Sequence, residues 1–170
     1  MGKLKFTIAV AQMDCVVGES EPNLNKIGDF TALAKRLGAE LVIFPECATT
    51  GYFIGDKINS LADGPDGPVA ARLGDIARRN SINLVCGLFT EEKGVFRNSQ
   101  KVFSPQGKLL ATYHKAHLFA VERTMYTAGD EPMVVDTSIG RLGLTICYDL
   151  VFPGYVRKLI ELGADIIINS

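Results

Sequence analysis

Short apolar runs bounded by turn-forming residues recur along this chain, and their length is that of buried strands rather than helices. Residues 5–11 (KFTIAVA), 41–44 (LVIF), 82–89 and 164–169 are runs of this kind. Helical stretches stand between them. Pro22 occupies the place of a first helical turn, with Ser20 and Glu21 just before it. Leu24, Ile27, Thr31, Ala34 and Leu37 then repeat at helical spacing until Gly38 ends the pattern. Pro68 opens a second helix with Val69, Leu73, Ile76 and Ala77 on its apolar face. Pro153 opens a third with Tyr155, Val156, Leu159 and Ile160 inward, capped at Gly163. Two strand pairs complete the pattern: 95–104 with 108–114, turned at Pro105-Gln106-Gly107, and 133–136 with 141–147, around Ile139-Gly140. Residues 55–68, rich in Gly, Pro and Asp, are expected to be a surface loop. Alternating helices and strands with added hairpins predict an α/β layered sandwich containing mixed sheets.

A length of 170 residues suits one domain with a sizeable core. No repeat, low-complexity tract or linker divides it, so residues 1–170 are expected to form a single domain. The last strand pattern stops at Asn169-Ser170 without a cap, turn or polar tail. A buried strand is a poor natural terminus, so the domain is expected to lack its C-terminal part.

The net charge of -1 supplies no basic field for nucleic acid. No apolar run reaches membrane-spanning length, and the charged start Met1-Gly2-Lys3-Leu4-Lys5 lacks the pattern of a secretory leader. Gly2 could invite myristoylation, but Phe6 stands where that motif wants Ser or Thr. A cytoplasmic location is the default expectation. Cys15, Cys47, Cys86 and Cys147 form no CxxC pair and are expected to be free thiols.

Three side chains invite chemistry. Glu46 follows residues 41–44 and a proline, Cys147 ends the run Leu142-Gly143-Leu144-Thr145-Ile146, and Lys115 follows a mixed strand. Strand ends deliver side chains rigidly to one rim of a sheet. A nucleophile on a strand–turn–helix is exposed there, and the N–H groups just after it can bind an oxyanion. A carboxylate beside it can take the thiol proton. Taken singly, each has a plainer explanation. Cys147 could be a small core hydrophobe, Glu46 a capping or ion-paired surface residue, and Lys115 a solvated cation. His114 and His117 are two imidazoles without a third metal ligand at suitable spacing. Glu122-Arg123, judged by spacing alone, is a surface ion pair.

Taken together, the segments resemble the nitrilase superfamily, the carbon-nitrogen hydrolases with a Glu-Lys-Cys triad. Ala9-Val10-Ala11-Gln12, Gly18 and Asn23 look like the family's first strand and turn. Phe44-Pro45-Glu46 with Thr50-Gly51-Tyr52 looks like its general-base segment, and Lys115 with His117-Leu118-Phe119 like its lysine segment. Cys147-Tyr148-Asp149-Leu150 with Phe152-Pro153 looks like its nucleophile elbow.

The resemblance implies a four-layer αββα sandwich, with Glu46 as base, Cys147 as nucleophile and Lys115 as stabiliser of the tetrahedral intermediate. It implies an oxyanion hole from Lys115 and the Tyr148 N–H, Glu122 as an auxiliary glutamate, and pocket loops that include Tyr52 and Phe119. It implies no metal or organic cofactor, no nucleic-acid or membrane partner, and dimers or larger homo-oligomers built through the outer helices. The implied reaction is hydrolysis of a small amide or carbamoyl compound through a cysteine thioester. The alternatives are a nitrile substrate or a silent, inactive binding or scaffold protein. A nucleotide-binding α/β domain is a further rival, but both glycine-rich phosphate motifs are absent. The chain departs from the family pattern at Val151 and Gly154, where Arg and Glu are common.

Overall fold

The computed structural model describes residues 5–170. In chain order the strands are β1 (Ile8–Val10), β2 (Leu41–Ile43), β3 (Asn83–Glu92), β4 (Val95–Phe103), β5 (Leu109–His114), β6 (Met133–Thr137), β7 (Gly140–Thr145) and β8 (Ile166–Asn169). The helices are α1 (Ser20–Arg36), α2 (Ile58–Leu61), α3 (Pro68–Asn80), α4 (Glu122–Met125) and α5 (Pro153–Glu161). Strands β1 to β5 form one sheet in chain order. Its first two pairings are parallel and its last two antiparallel. Strands β6, β7 and β8 form a second sheet, antiparallel and then parallel.

Side-chain alternation along the strands sets the layers. On one face of the larger sheet Val42, Leu84, Cys86 and Phe103 pack under Leu24 and Ile27 of α1 and Leu73 and Ile76 of α3. On the other face Leu41, Ile43, Val85 and Val102 meet Leu142, Leu144 and Ile146 of the smaller sheet. Gly143 points away from that interface, and a β-carbon there would lie 3.3 Å from the Leu159 β-carbon of α5. The order is helices, sheet, sheet, helix: the four-layer αββα sandwich with mixed sheets. Leu41, Val42, Leu73, Leu84 and Leu142 are fully buried, each contributing about 1.5–3 kcal/mol relative to exposure.

Two local expectations need correction. Residues 55–68 are not simply a loop, for they contain a 3-10 turn at Gly55–Lys57 followed by α2. The reason lies in Asp63, which is buried and whose carboxylate accepts the Val69 and Ala70 N–H groups at 3.2 and 2.8 Å. Gly67 has no side chain to cap α3, so Asp63 caps it from outside the helix and draws the preceding segment inward. On α5, Tyr155 and Leu159 are buried but Ile160 is 60% exposed rather than inward. Four residues separate the buried pair, and Ile160 falls off that narrow stripe.

Candidate active site

Glu46 is brought to the sheet by a close backbone approach. The Phe44 N–H donates to the Val85 carbonyl at 2.9 Å, continuing β2 against β3. Beyond it the chain turns over Gly87 of β3. A β-carbon on Gly87 would lie 2.6 Å from the Pro45 carbonyl oxygen and 2.8 Å from the Glu46 Cα, so only glycine lets this turn seat.

Lys115 leaves β5 with its N–H donating to the Asn98 carbonyl at 2.9 Å, and its side chain is buried. Its ammonium donates to Glu46 Oε1 at 2.7 Å and to both Glu122 oxygens at 3.0 and 2.8 Å. Glu122 is also buried, and it accepts the Phe119 N–H at 2.6 Å. Asn98 Nδ2 donates to Glu46 Oε1 at 2.7 Å and to Glu122 Oε1 at 2.9 Å. Two carboxylates are thereby held side by side through a cation and an amide. Burial pulls the Lys115 pKa down, but hydrogen bonds and charge from Glu122 and Glu46 outweigh it, and the net shift is upward.

Cys147 lies just past β7, on an exposed turn with φ 44°, a left-handed conformation that non-glycine residues rarely adopt. Asp149 anchors this turn from beneath and is fully buried. Its Oδ2 accepts the Ile146 N–H at 2.9 Å and the Tyr113 hydroxyl at 2.7 Å. Its Oδ1 accepts the His117 N–H at 2.8 Å and lies 2.8 Å from His117 Nδ1. The His117 ring stacks on Phe152 with centroids 3.8 Å apart. The cysteine turn is therefore tied to the lysine segment through one carboxylate. Partial desolvation of the thiol raises the Cys147 pKa, and the Glu46 charge raises it further, while Lys115 opposes them. Such a thiol stays protonated near neutral pH and would need a base before acting as a nucleophile.

Glu46, Lys115, Cys147 and Glu122 thus share one site. The Tyr148 N–H, just past the cysteine, makes no hydrogen bond among the described residues. Phe119 is half-exposed and meets Tyr148 edge-on at 5.1 Å. Tyr52 lies on the Glu122 side, its pKa pushed up by burial and by the Glu122 and Glu46 charges. It lines an apolar hollow of about 310 Å³ with Phe53, Ile54, Val121, Met125 and Tyr126. Another hollow of about 370 Å³ lies away from the triad, between α3 and the β4–β5 turn.

Glu122 is not the surface residue that spacing alone suggests, and Arg123 donates instead to the Leu118 carbonyl at 3.1 Å. His114 and His117 part company, for His114 Nδ1 lies 2.8 Å from Ser99 Oγ. Among the described residues no group of three potential ligands could hold a metal ion. Val151 is exposed, and a β-carbon on Gly154 would meet open space. Sequence reasoning missed Asn98 and gave Asp149 no role. The one available signal for Asn98 was an amide in mid-strand, a position that residue type avoids.

An αββα sandwich with a carboxylate, an ammonium and a thiol at its strand ends defines a narrow class of proteins. The chain belongs to the carbon-nitrogen hydrolase family, whose sequence pattern matches residues 7–170. It is 29% identical to a probable nitrilase of Schizosaccharomyces pombe, over 97% of this chain and 63% of that protein. It is 32% identical to a nitrilase of Pyrococcus abyssi, over 94% of this chain and 62% of that protein. Among solved structures it is similar to an amidase from Nesterenkonia sp., with a TM-score of 0.83 and 27% identity, covering 95% of this chain and 63% of that one. A variant of that amidase carries acrylamide added at its active-site cysteine, and another was solved in complex with butyramide. The chain spans about 63% of the length of the first of these relatives.

Proposed function

We propose that the protein hydrolyses the carbon–nitrogen bond of a small amide through a thioester on Cys147. The observation that carries this reading is the Lys115 ammonium held between Glu46 and Glu122, with the Cys147 thiol beside Glu46. Glu46 takes the thiol proton as sulfur attacks the amide carbon, forming the C–S bond. The oxyanion is met by Lys115 and the Tyr148 N–H. When the C–N bond breaks, Glu46 returns the proton to the departing nitrogen, which leaves as ammonia or an amine. Water then gives a proton to Glu46 and its oxygen to the acyl carbon. The C–S bond breaks, the sulfur recovers the proton, and the carboxylic acid leaves. Glu122 holds Lys115 in position, and Tyr52 and Phe119 border the acyl group on opposite sides. No metal or organic cofactor enters this scheme. The butyramide complex of the similar amidase supports an amide over a carbamoyl compound or nitrile as first choice.

The reading extends to a homo-oligomer built through the outer helices, supported by exposed Ile160 and Leu162 near α5 and Leu33 and Leu37 near the end of α1. It also places the protein in the cytoplasm. The four cysteines are free, which fits a reducing compartment, and among the described residues no helix is long and apolar enough to cross a membrane.

The test pairs ammonia release from butyramide and butyronitrile with intact-mass detection of an acyl adduct. Release and an adduct are expected from the protein, and neither from its Cys147→Ala variant. An adduct that survives in the variant overturns the nucleophile assignment. Release from the nitrile alone replaces the amide, and release from neither favours a silent binding protein.

A further inference from the structure

The face of β4 turned away from the triad carries a second polar site. Lys101, Ser99 and Arg97 alternate along β4 with Val102, Gln100 and Asn98, the last of which binds the catalytic carboxylates. They share their face with Phe103, which packs in the α1–α3 layer. Lys101 and Arg97 line a cavity of about 280 Å³ with Pro65, Thr90, Thr112 and His114.

The two cations are poorly matched. Lys101 is 1% exposed, yet the only hydrogen bond of its ammonium among the described residues is a 3.2 Å contact to the Pro65 carbonyl. Arg97 Nε is buried without any partner. Neither residue forms a salt bridge among the described residues. Carboxylates do line the cavity, but Asp66 and Glu92 are exposed at its rim, and Glu91 accepts the Gly94 N–H at 2.5 Å. The wall is otherwise built: Thr90 Oγ1 lies 2.7 Å from Ser99 Oγ, which lies 2.8 Å from His114 Nδ1. The acids at the rim are solvated, and the buried Asp63 carboxylate is committed to the Val69 and Ala70 N–H groups, so neither cation has an ion-pair partner among the described residues. A buried cation without a partner is strongly unfavourable, and a planar guanidinium suits an oxyanion.

We propose that this cavity binds a small oxyanion, a phosphate or carboxylate group, between the Lys101 ammonium and the Arg97 guanidinium. Two further features agree. Burial holds the Lys101 pKa below the ordinary lysine range, although Asp63 and Asp66 oppose it, and an anion bound beside the ammonium would raise that pKa. Burial and the Arg97 charge likewise hold the His114 pKa down, leaving a neutral ring at the wall. The site stands apart from the reaction proposed at Cys147 and does not depend on it.

The test titrates the Cys147→Ala protein separately with inorganic phosphate and with butyrate, reading the Arg97 Nε–H resonance by NMR and the heat by calorimetry. Saturable binding of one anion is expected, with that resonance shifting along the same curve. Affinity should fall by about tenfold or more in Arg97→Gln and in Lys101→Met, the scale of one charge-assisted hydrogen bond. The phosphate and butyrate arms separate an inorganic ion from an acid product. Binding that leaves the Arg97 resonance fixed, or that Arg97→Gln leaves unchanged, belongs elsewhere and overturns the proposal. So does the lack of saturable binding by either anion.

Discussion

At the scale of single residues, the Cys147 thiol shows how its neighbours set reactivity. Its pKa is raised by burial and then by Glu46. Removing that carboxylate charge removes a term that disfavours the thiolate, so Glu46→Gln should lower the apparent pKa of Cys147. Iodoacetamide rates measured against pH will show it; an unchanged or higher midpoint sinks the assignment. Cys147 is exposed while Cys47 and Cys86 are buried, so Cys147 should be alkylated first. Equal rates at every cysteine would contradict the site. Asp149, buried beneath the turn with four contacts, should be far less tolerant. Asp149→Asn cannot accept all of them and should lose about 3 kcal/mol in urea denaturation. That Glu46, Lys115 and Cys147 stand just past strands β2, β5 and β7 was legible from the runs that precede them. Asn98 was not, since nothing along the chain tells which strand face meets a carboxylate from a segment 52 positions away.

At the scale of elements, apolar runs and proline or glycine punctuation carried most of the fold. Helix α3 begins at Pro68, and Gly38 follows α1 with φ 85°. The misjudged segment at 55–68 depended on a side chain, Asp63, that caps a helix it does not belong to. Ile160 depended on the width of the buried stripe, which periodicity alone does not fix. Glycines behave differently by element. Gly87→Ala in β3 would push a β-carbon against Pro45, Glu46 and Cys47 backbone. It should destabilise the fold by more than about 1 kcal/mol and displace Glu46, seen as a lower Tm and loss of the proposed amide turnover. Gly154→Ala, in the first turn of α5 and facing open space, should instead stabilise by about 0.5–1 kcal/mol. A fall in Tm for Gly154→Ala would show that this turn is constrained by something other than helix propensity.

At the scale of the whole molecule, the two sheets and two outer helix layers bear on the proposed homo-oligomer. The inner faces are occupied by each other, and the outer helix layers expose Leu33 and Leu37 near the end of α1 and Ile160 on α5. In the proposed assembly, Ile160→Asp should therefore shift the protein toward monomer in sedimentation velocity while leaving the proposed amide turnover per chain largely intact. An unchanged mass distribution would remove α5 from the interface. A layered α/β sandwich was legible in the alternation of helices with apolar runs, and its four layers followed from the family resemblance. The assembly was not, because one exposed isoleucine looks the same in sequence whether water or another chain covers it.

The Lys115 cation bridging Glu46 and Glu122 has a consequence for the energetics of the proposed reaction. Before attack the trio sums to a single negative charge. Once the thiol proton has moved to Glu46, the trio is neutral and the one negative charge resides on the substrate oxygen. The chemical step is then isocoulombic: charge migrates within the cleft but none is created or imported. Its barrier should be almost indifferent to added salt, even over the range where the screening length shrinks from about 30 to 3 Å.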